Sequence, residues 1–152
     1  MVHTLMERID KIEILLVEDN AVEAELAIAA LRSAGLANSL LWVKDGQEAL
    51  DFLFRKGDYA GRDDSVPRFV LLDVHMPRVS GLEVLRAVKA NPLTRRIPVV
   101  MLTSSVEERD MAESYQLGVN SYMVKPIDFK AFAEIVRRAG YYWLAVNIQP
   151  AR

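Results

Sequence analysis

The chain has no cysteine. That excludes a disulfide framework, a thiolate metal site and a cysteine nucleophile. It suits a reducing compartment, and a cytoplasmic location is the expectation. No uninterrupted apolar run in the sequence approaches the ~18 residues of a membrane helix. The opening Met1-Val-His-Thr-Leu-Met-Glu-Arg8 has no basic segment leading into an apolar one, so no signal peptide is expected. Neither sign of charge dominates: 19 basic and 21 acidic residues leave a net charge of −2. This balance gives no electrostatic case for nucleic acid or for an anionic membrane surface. Histidine is scarce. His3 lies in the lead-in and His75 stands alone, so no His–Ser or His–Asp pair is implied.

What is present is a well-mixed globular composition. The 152 residues are 51% hydrophobic and 26% charged, with no repeat and no low-complexity stretch. One compact domain over 1–152 is expected, with a lead-in at 1–10, a core at about 12–144 and a tail at 145–152. Short apolar, β-branched runs predict strands at 12–17, 39–43, 69–73, 97–103 and 121–125. Between them, apolar residues at helical spacing predict helices at 21–34, 47–55, 82–90, 106–117 and 129–144. Gly35 and Gly118 supply left-handed stops, Asn91-Pro92 ends the third helix, and Ser105 with Glu108 forms a capping box for the fourth. The stretch 57–67 is read as one long surface loop.

Strands that alternate with helices pair in parallel through right-handed crossovers. Five units are too few for a closed barrel. The expectation is an α/β fold: an open five-stranded sheet, order 2-1-3-4-5, with helices on both faces. Ligands then bind beyond the carboxyl ends of the strands, where strand order reverses. The residues placed there are informative. Strand one ends in Glu18-Asp19, strand three in Asp73, strand four in Thr103 and strand five in Lys125.

Each has a bland reading: Glu18-Asp19 as a helix cap, Asp73 as a turn former, Thr103 as a backbone-bonding hydroxyl, Lys125 as a solvated charge. Together they describe a site. Three carboxylates on one rim repel unless a cation joins them, and Mg²⁺ takes one or two carboxylates plus water and phosphate oxygen. Asp19 and Asp73 are the expected direct ligands. Glu18 would hold a bound water, and the backbone carbonyl of His75 is the candidate third ligand. A carboxylate beside Mg²⁺ can attack phosphorus and form an aspartyl phosphate. Lys125 and Thr103 would then serve the equatorial oxygens.

These residues carry a resemblance. Glu18-Asp19-Asn20, Leu72-Asp73-Val-His-Met-Pro77 with Gly81, Leu102-Thr103-Ser104 and Val124-Lys125-Pro126 resemble the receiver domain of two-component response regulators. The likeness runs from Ile12 to Leu144. It implies a flavodoxin-like fold, phosphorylation of Asp73 by a histidine kinase, Mg²⁺ dependence and a cis Lys125–Pro126 bond. It also implies a switch pair of Thr103 and Tyr122, and tuning of dephosphorylation by His75 and Ser105. Such a protein is no enzyme beyond its own phosphorylation and dephosphorylation. Two departures are mild: Glu18 stands where a second aspartate is commoner, and His75 where an amide is often found. More narrowly, Phe52–Tyr59, Asn91-Pro92 with Arg95–Pro98, and Tyr142-Trp143-Leu144 resemble the small regulators partnered with phytochrome-type kinases. A stand-alone receiver is expected.

Such a switch reports by binding. The face built by 106–144 is expected to change on phosphorylation. Tyr141, Tyr142 and Trp143, with Val146 and Ile148, extend beyond what the sheet can cover, which points to a two-fold homodimer or to a tail folded back on its own domain. The alternatives to a signalling adapter are a phosphate sink that drains a kinase and a binding module indifferent to phosphorylation. A phosphoester hydrolase would need an acid where His75 stands. A flavin protein would need a phosphate loop where Glu18-Asp19 stands.

Overall fold

The computed structural model describes residues 12–37, 39–104 and 106–149. Five parallel strands, β1 (Ile14–Val17), β2 (Leu40–Val43), β3 (Phe69–Leu72), β4 (Val99–Thr103) and β5 (Ser121–Val124), form one sheet in the order β2-β1-β3-β4-β5. Helices α1 (Ala21–Ser33), α2 (Gly46–Phe54), α3 (Gly81–Ala90), α4 (Glu108–Gln116) and α5 (Phe129–Tyr141) cover it. The expected architecture holds, with strands one or two residues shorter than their apolar runs.

The central strands bury both faces, which is why they read as continuous apolar runs and not as alternation. Their side chains divide into two cores. Leu15, Val17, Val70, Leu72, Val99 and Met101 meet α2 and α3 through Phe52, Leu53, Val84, Leu85 and Val88. Ile14, Leu16, Phe69, Leu71, Val100 and Leu102 meet α1 and α5 through Ala24, Ala27, Leu31, Phe132 and Val136. Each fully buried large apolar side chain contributes roughly 1.5–3 kcal/mol. The alanine stripe of α1 lets α5 approach closely. A Cβ on Gly140 would lie 2.5 Å from Leu31 Cδ2.

Register sets the rim. Val17 is level with Val43 on one side and Leu72 on the other, and Thr103 is level with Val124. The next residues therefore emerge together. Asp73 N donates to Val17 O at 3.2 Å, and Lys125 N donates to Thr103 O at 2.7 Å.

Several expectations change. The Lys125–Pro126 bond is not cis; no cis bond occurs among the described residues. A prolyl bond keeps a trans preference of about 0.5–1 kcal/mol, and the Lys125 ammonium reaches the rim from the trans form. Helix α4 begins at Glu108, not 106, and its N-cap, Glu107, makes no side-chain capping bond to the helix. Ser105 lies outside the described residues. The capping box that is seen is at α3, where Ser80 and Glu83 satisfy each other's backbone N–H groups. Phe129, in the first turn of α5, is 66% exposed, whereas Phe132 in the same helix is buried.

The last helix also stops early. A π-helical turn, Tyr142–Val146, replaces its end. Trp143 and Leu144 pack back on the second core, and Gln149 Nε2 donates to Arg68 O at 2.6 Å, while Tyr141, Tyr142, Val146 and Ile148 stay exposed. The stretch 57–67 is more ordered than a bare loop. It holds a 3₁₀ turn (Gly57–Tyr59) and buries Arg62, whose guanidinium lies over the Phe52 ring and donates to Phe52 O and Ser65 O.

Candidate functional site

Asp73 is the first residue past β3 and is 8% exposed. Its Oδ1 is buried and has no hydrogen-bond partner among the described residues. A buried carboxylate oxygen without a donor is costly, at about 1–3 kcal/mol, and calls for an explanation by a missing ligand. Glu18 and Asp19 supply its context. Oxygen atoms of Glu18, Asp19 and Asp73 all lie within 4.8 Å of one another; Glu18 and Asp73 are buried and Asp19 is exposed. The buried pair with one open neighbour fits a hard cation entering from solvent.

The cluster is held by named contacts. Asn20 N donates to Glu18 Oε2 at 3.1 Å, and Glu23 N donates to Asn20 Oδ1 at 3.0 Å, so the N-cap of α1 orders the acidic strand end. Trp42 Nε1 donates to Glu18 O at 2.8 Å and ties the edge strand to the same residue. Lys125 Nζ donates to Glu18 Oε1 at 2.7 Å, to Glu23 Oε2 at 3.0 Å and to Asp73 Oδ2 at 3.2 Å. Its side chain is only 5% exposed.

Such crowding moves protons. Burial pushes the Glu18 carboxyl up to about 7, against the hydrogen bond and charge of Lys125, while Asp73 adds to the rise. Burial alone would lower Lys125, but its bond to Glu18 and the charges of Asp73 and Glu18 outweigh that and raise it, so it stays an ammonium. Thr103, fully buried, ends β4 beside this group. Tyr122, on β5, is half-buried against the first core.

The family profile described as "Response regulator receiver domain" matches residues 14–137. The chain is a response-regulator receiver. It is 41% identical to the probable methanogenesis regulatory protein FilR2 of Methanothrix harundinacea (strain 6Ac), over 96% of this chain and 92% of that protein. The crystal structure of the phosphorylated cyanobacterial phytochrome response regulator RcpA is similar at 37% identity and a TM-score of 0.85, covering 91% of this chain and 97% of that one. The bacteriophytochrome response regulator AtBRR is similar at 48% identity and a TM-score of 0.70, covering 89% and 96%.

The receiver rim brings together Glu18, Asp19, Asp73 and Lys125 as the strand ends anticipated. Two further acids, Glu23 and Asp110, were not anticipated. Glu23 reaches Lys125 from the first turn of α1; its only signal in sequence was an acid five residues after Glu18. His75 is not isolated. Its Nε2 lies 2.8 Å from Asp110 Oδ2, a buried acid on α4, with the imidazole 62% exposed. Ser114 Oγ donates to Asp110 O at 2.7 Å and steadies that turn. The pairing spans 35 residues, so nothing local in the sequence marks it.

The glycine after Ser80 also belongs to the site. A Cβ on Gly81 would meet Asp73 O at 2.0 Å and Val74 Cα at 2.8 Å. The start of α3 therefore rests directly on the backbone that carries Asp73.

Proposed function

We propose that Asp73 accepts a phosphoryl group from a histidine kinase and that the protein reports this state by binding another protein. The observation that carries the reading is the unpartnered, buried Oδ1 of Asp73 in a rim of acids with one ammonium. A carboxylate oxygen of Asp73 forms the new O–P bond. The P–N bond to the donor imidazole breaks, and that nitrogen keeps the electron pair and takes a proton. Mg²⁺, when bound, neutralises charge on the phosphoryl oxygens. Glu18, Asp19, Asp73 and the carbonyl of His75 are the residues that would hold it. Lys125 is already within hydrogen-bond distance of Asp73 and donates to a phosphoryl oxygen. Thr103 donates to another, and its movement draws Tyr122 inward.

The face that Tyr122 adjoins carries exposed Val106, Met111 and Tyr115, with Val124, Ile127 and Phe129 beside them. This apolar surface favours a signalling adapter over a phosphate sink. The likeness to proteins described as phytochrome and bacteriophytochrome response regulators supports a light-sensing kinase as the donor. Among the described residues no helix is long and apolar enough to cross a membrane, in keeping with a cytoplasmic partner.

The test is direct labelling. Acetyl phosphate and Mg²⁺ should add phosphoryl mass to the wild type and none to Asp73→Asn in intact-mass spectrometry. An unlabelled wild type, or equal labelling of both, would refute the assignment.

A further inference from the structure

The ammonium of Lys125 has three N–H groups, and three carboxylates at 2.7, 3.0 and 3.2 Å occupy them. They are not equivalent. Glu18 and Asp73 belong to the cluster that can hold a cation, whereas Glu23 does not. Glu23 comes from α1, with its backbone fixed by the Asn20 side chain, and is 34% exposed on the solvent side of the ammonium. A dication held by the cluster would draw on the carboxylates of Glu18 and Asp73 and would repel the ammonium. Lys125 then needs an anion that the metal leaves free, and Glu23 is already in contact. When Asp73 carries a phosphoryl group, its oxygens are the stronger acceptors, and Lys125 must leave Glu23 to reach them.

We propose that Glu23 is a positioning residue that holds Lys125 in the resting protein, easing entry of the divalent cation while restraining phosphoryl transfer to Asp73. The inference rests on the phosphoacceptor reading above, and it demands opposite effects on two steps. A residue needed only for structural integrity would weaken both.

The experiment uses the full chain as wild type, Glu23→Gln, Glu23→Asp and Glu25→Gln. Glu25 is an exposed acid on the same helix and controls for charge alone. Mg²⁺ affinity is read by calorimetry with MgCl₂. Labelling by acetyl phosphate at saturating Mg²⁺ is read by intact mass against time. Glu23→Gln is expected to weaken Mg²⁺ binding and to speed labelling, each by about threefold to fivefold, the scale of one half-exposed ion pair. Glu23→Asp, which keeps the charge but withdraws it from Lys125, should follow Glu23→Gln. Glu25→Gln should follow the wild type.

Three results would overturn the proposal: Glu23→Asp behaving as wild type, Glu23→Gln slowing labelling as well as weakening Mg²⁺, or no change in either step. A wild type that takes no phosphoryl group would instead remove the phosphoacceptor reading. The calorimetric comparison would still decide whether Glu23 governs cation entry.

Discussion

At the scale of single residues, the site depends on close fits as much as on charges. Asp73 can be read as a strand-end acid from Phe69-Val-Leu-Leu alone, because four buried apolar residues must end where the strand leaves the core. Gly81 shows what such reading misses. It looks like a helix opener, yet its missing side chain is what lets α3 sit on the Asp73 carbonyl. Gly81→Ala should therefore cost about 2–4 kcal/mol, since the added Cβ meets backbone that cannot rotate away. Urea unfolding measures the loss. Acetyl phosphate labelling of the folded fraction should fall with it, because the strand end that aims Asp73 is displaced. His75 and Asp110 make the complementary point: a lone histidine in a sequence still finds a partner when a helix 35 residues on folds over it.

At the scale of elements, the strands and their order were legible because a doubly covered parallel sheet writes each strand as an apolar run. Helix ends were less so. Ser105 with Glu108 and Ser80 with Glu83 carry the same spacing; the second pair forms the capping box of α3, whereas α4 starts two residues later than the first pair implies, with Glu107 at its N-cap. The last helix fails to reach 144 because Trp143 and Leu144 turn back to the core, a tertiary demand with no local signature. Helix α3 has its own device at the end remote from Asp73. Lys89 Nζ donates to Arg95 O, Ile97 O and Asn120 Oδ1, all uncharged acceptors. Burial lowers its pKa from 10.5 to about 8. Between those two values the unfolded chain holds the proton more tightly than the folded one, so this lysine makes stability rise with pH across that window. Its contribution is complete above the unfolded value and lost as pH falls towards the folded one. Denaturant midpoints from pH 8 to 10.5 should rise more steeply for the wild type than for Lys89→Met.

At the scale of the whole molecule, chemistry and contact surface divide between regions. Glu18, Asp19 and Asp73 sit at the carboxyl ends of the strands, while the exposed aromatics Tyr141 and Tyr142 lie at the end of α5 and just past it. Trp143 folds back, and Tyr141, Tyr142, Val146 and Ile148 remain outside as an apolar strip suited to a second copy of the chain. Light scattering after size exclusion should give a dimer mass at micromolar concentration, shifted towards monomer by Tyr141→Ser with Ile148→Ser. A wild-type monomer at high micromolar concentration would exclude it. The edge strand closes the account of the molecule. The indole of Trp42 is bonded to the carbonyl of Glu18 and lies 5.6 Å from the Lys44 ammonium. An indole held against the backbone of this centre is placed as a built-in optical gauge: with Trp143→Phe removing the other indole, its emission should change when cation or phosphoryl group alters the strand end beside it.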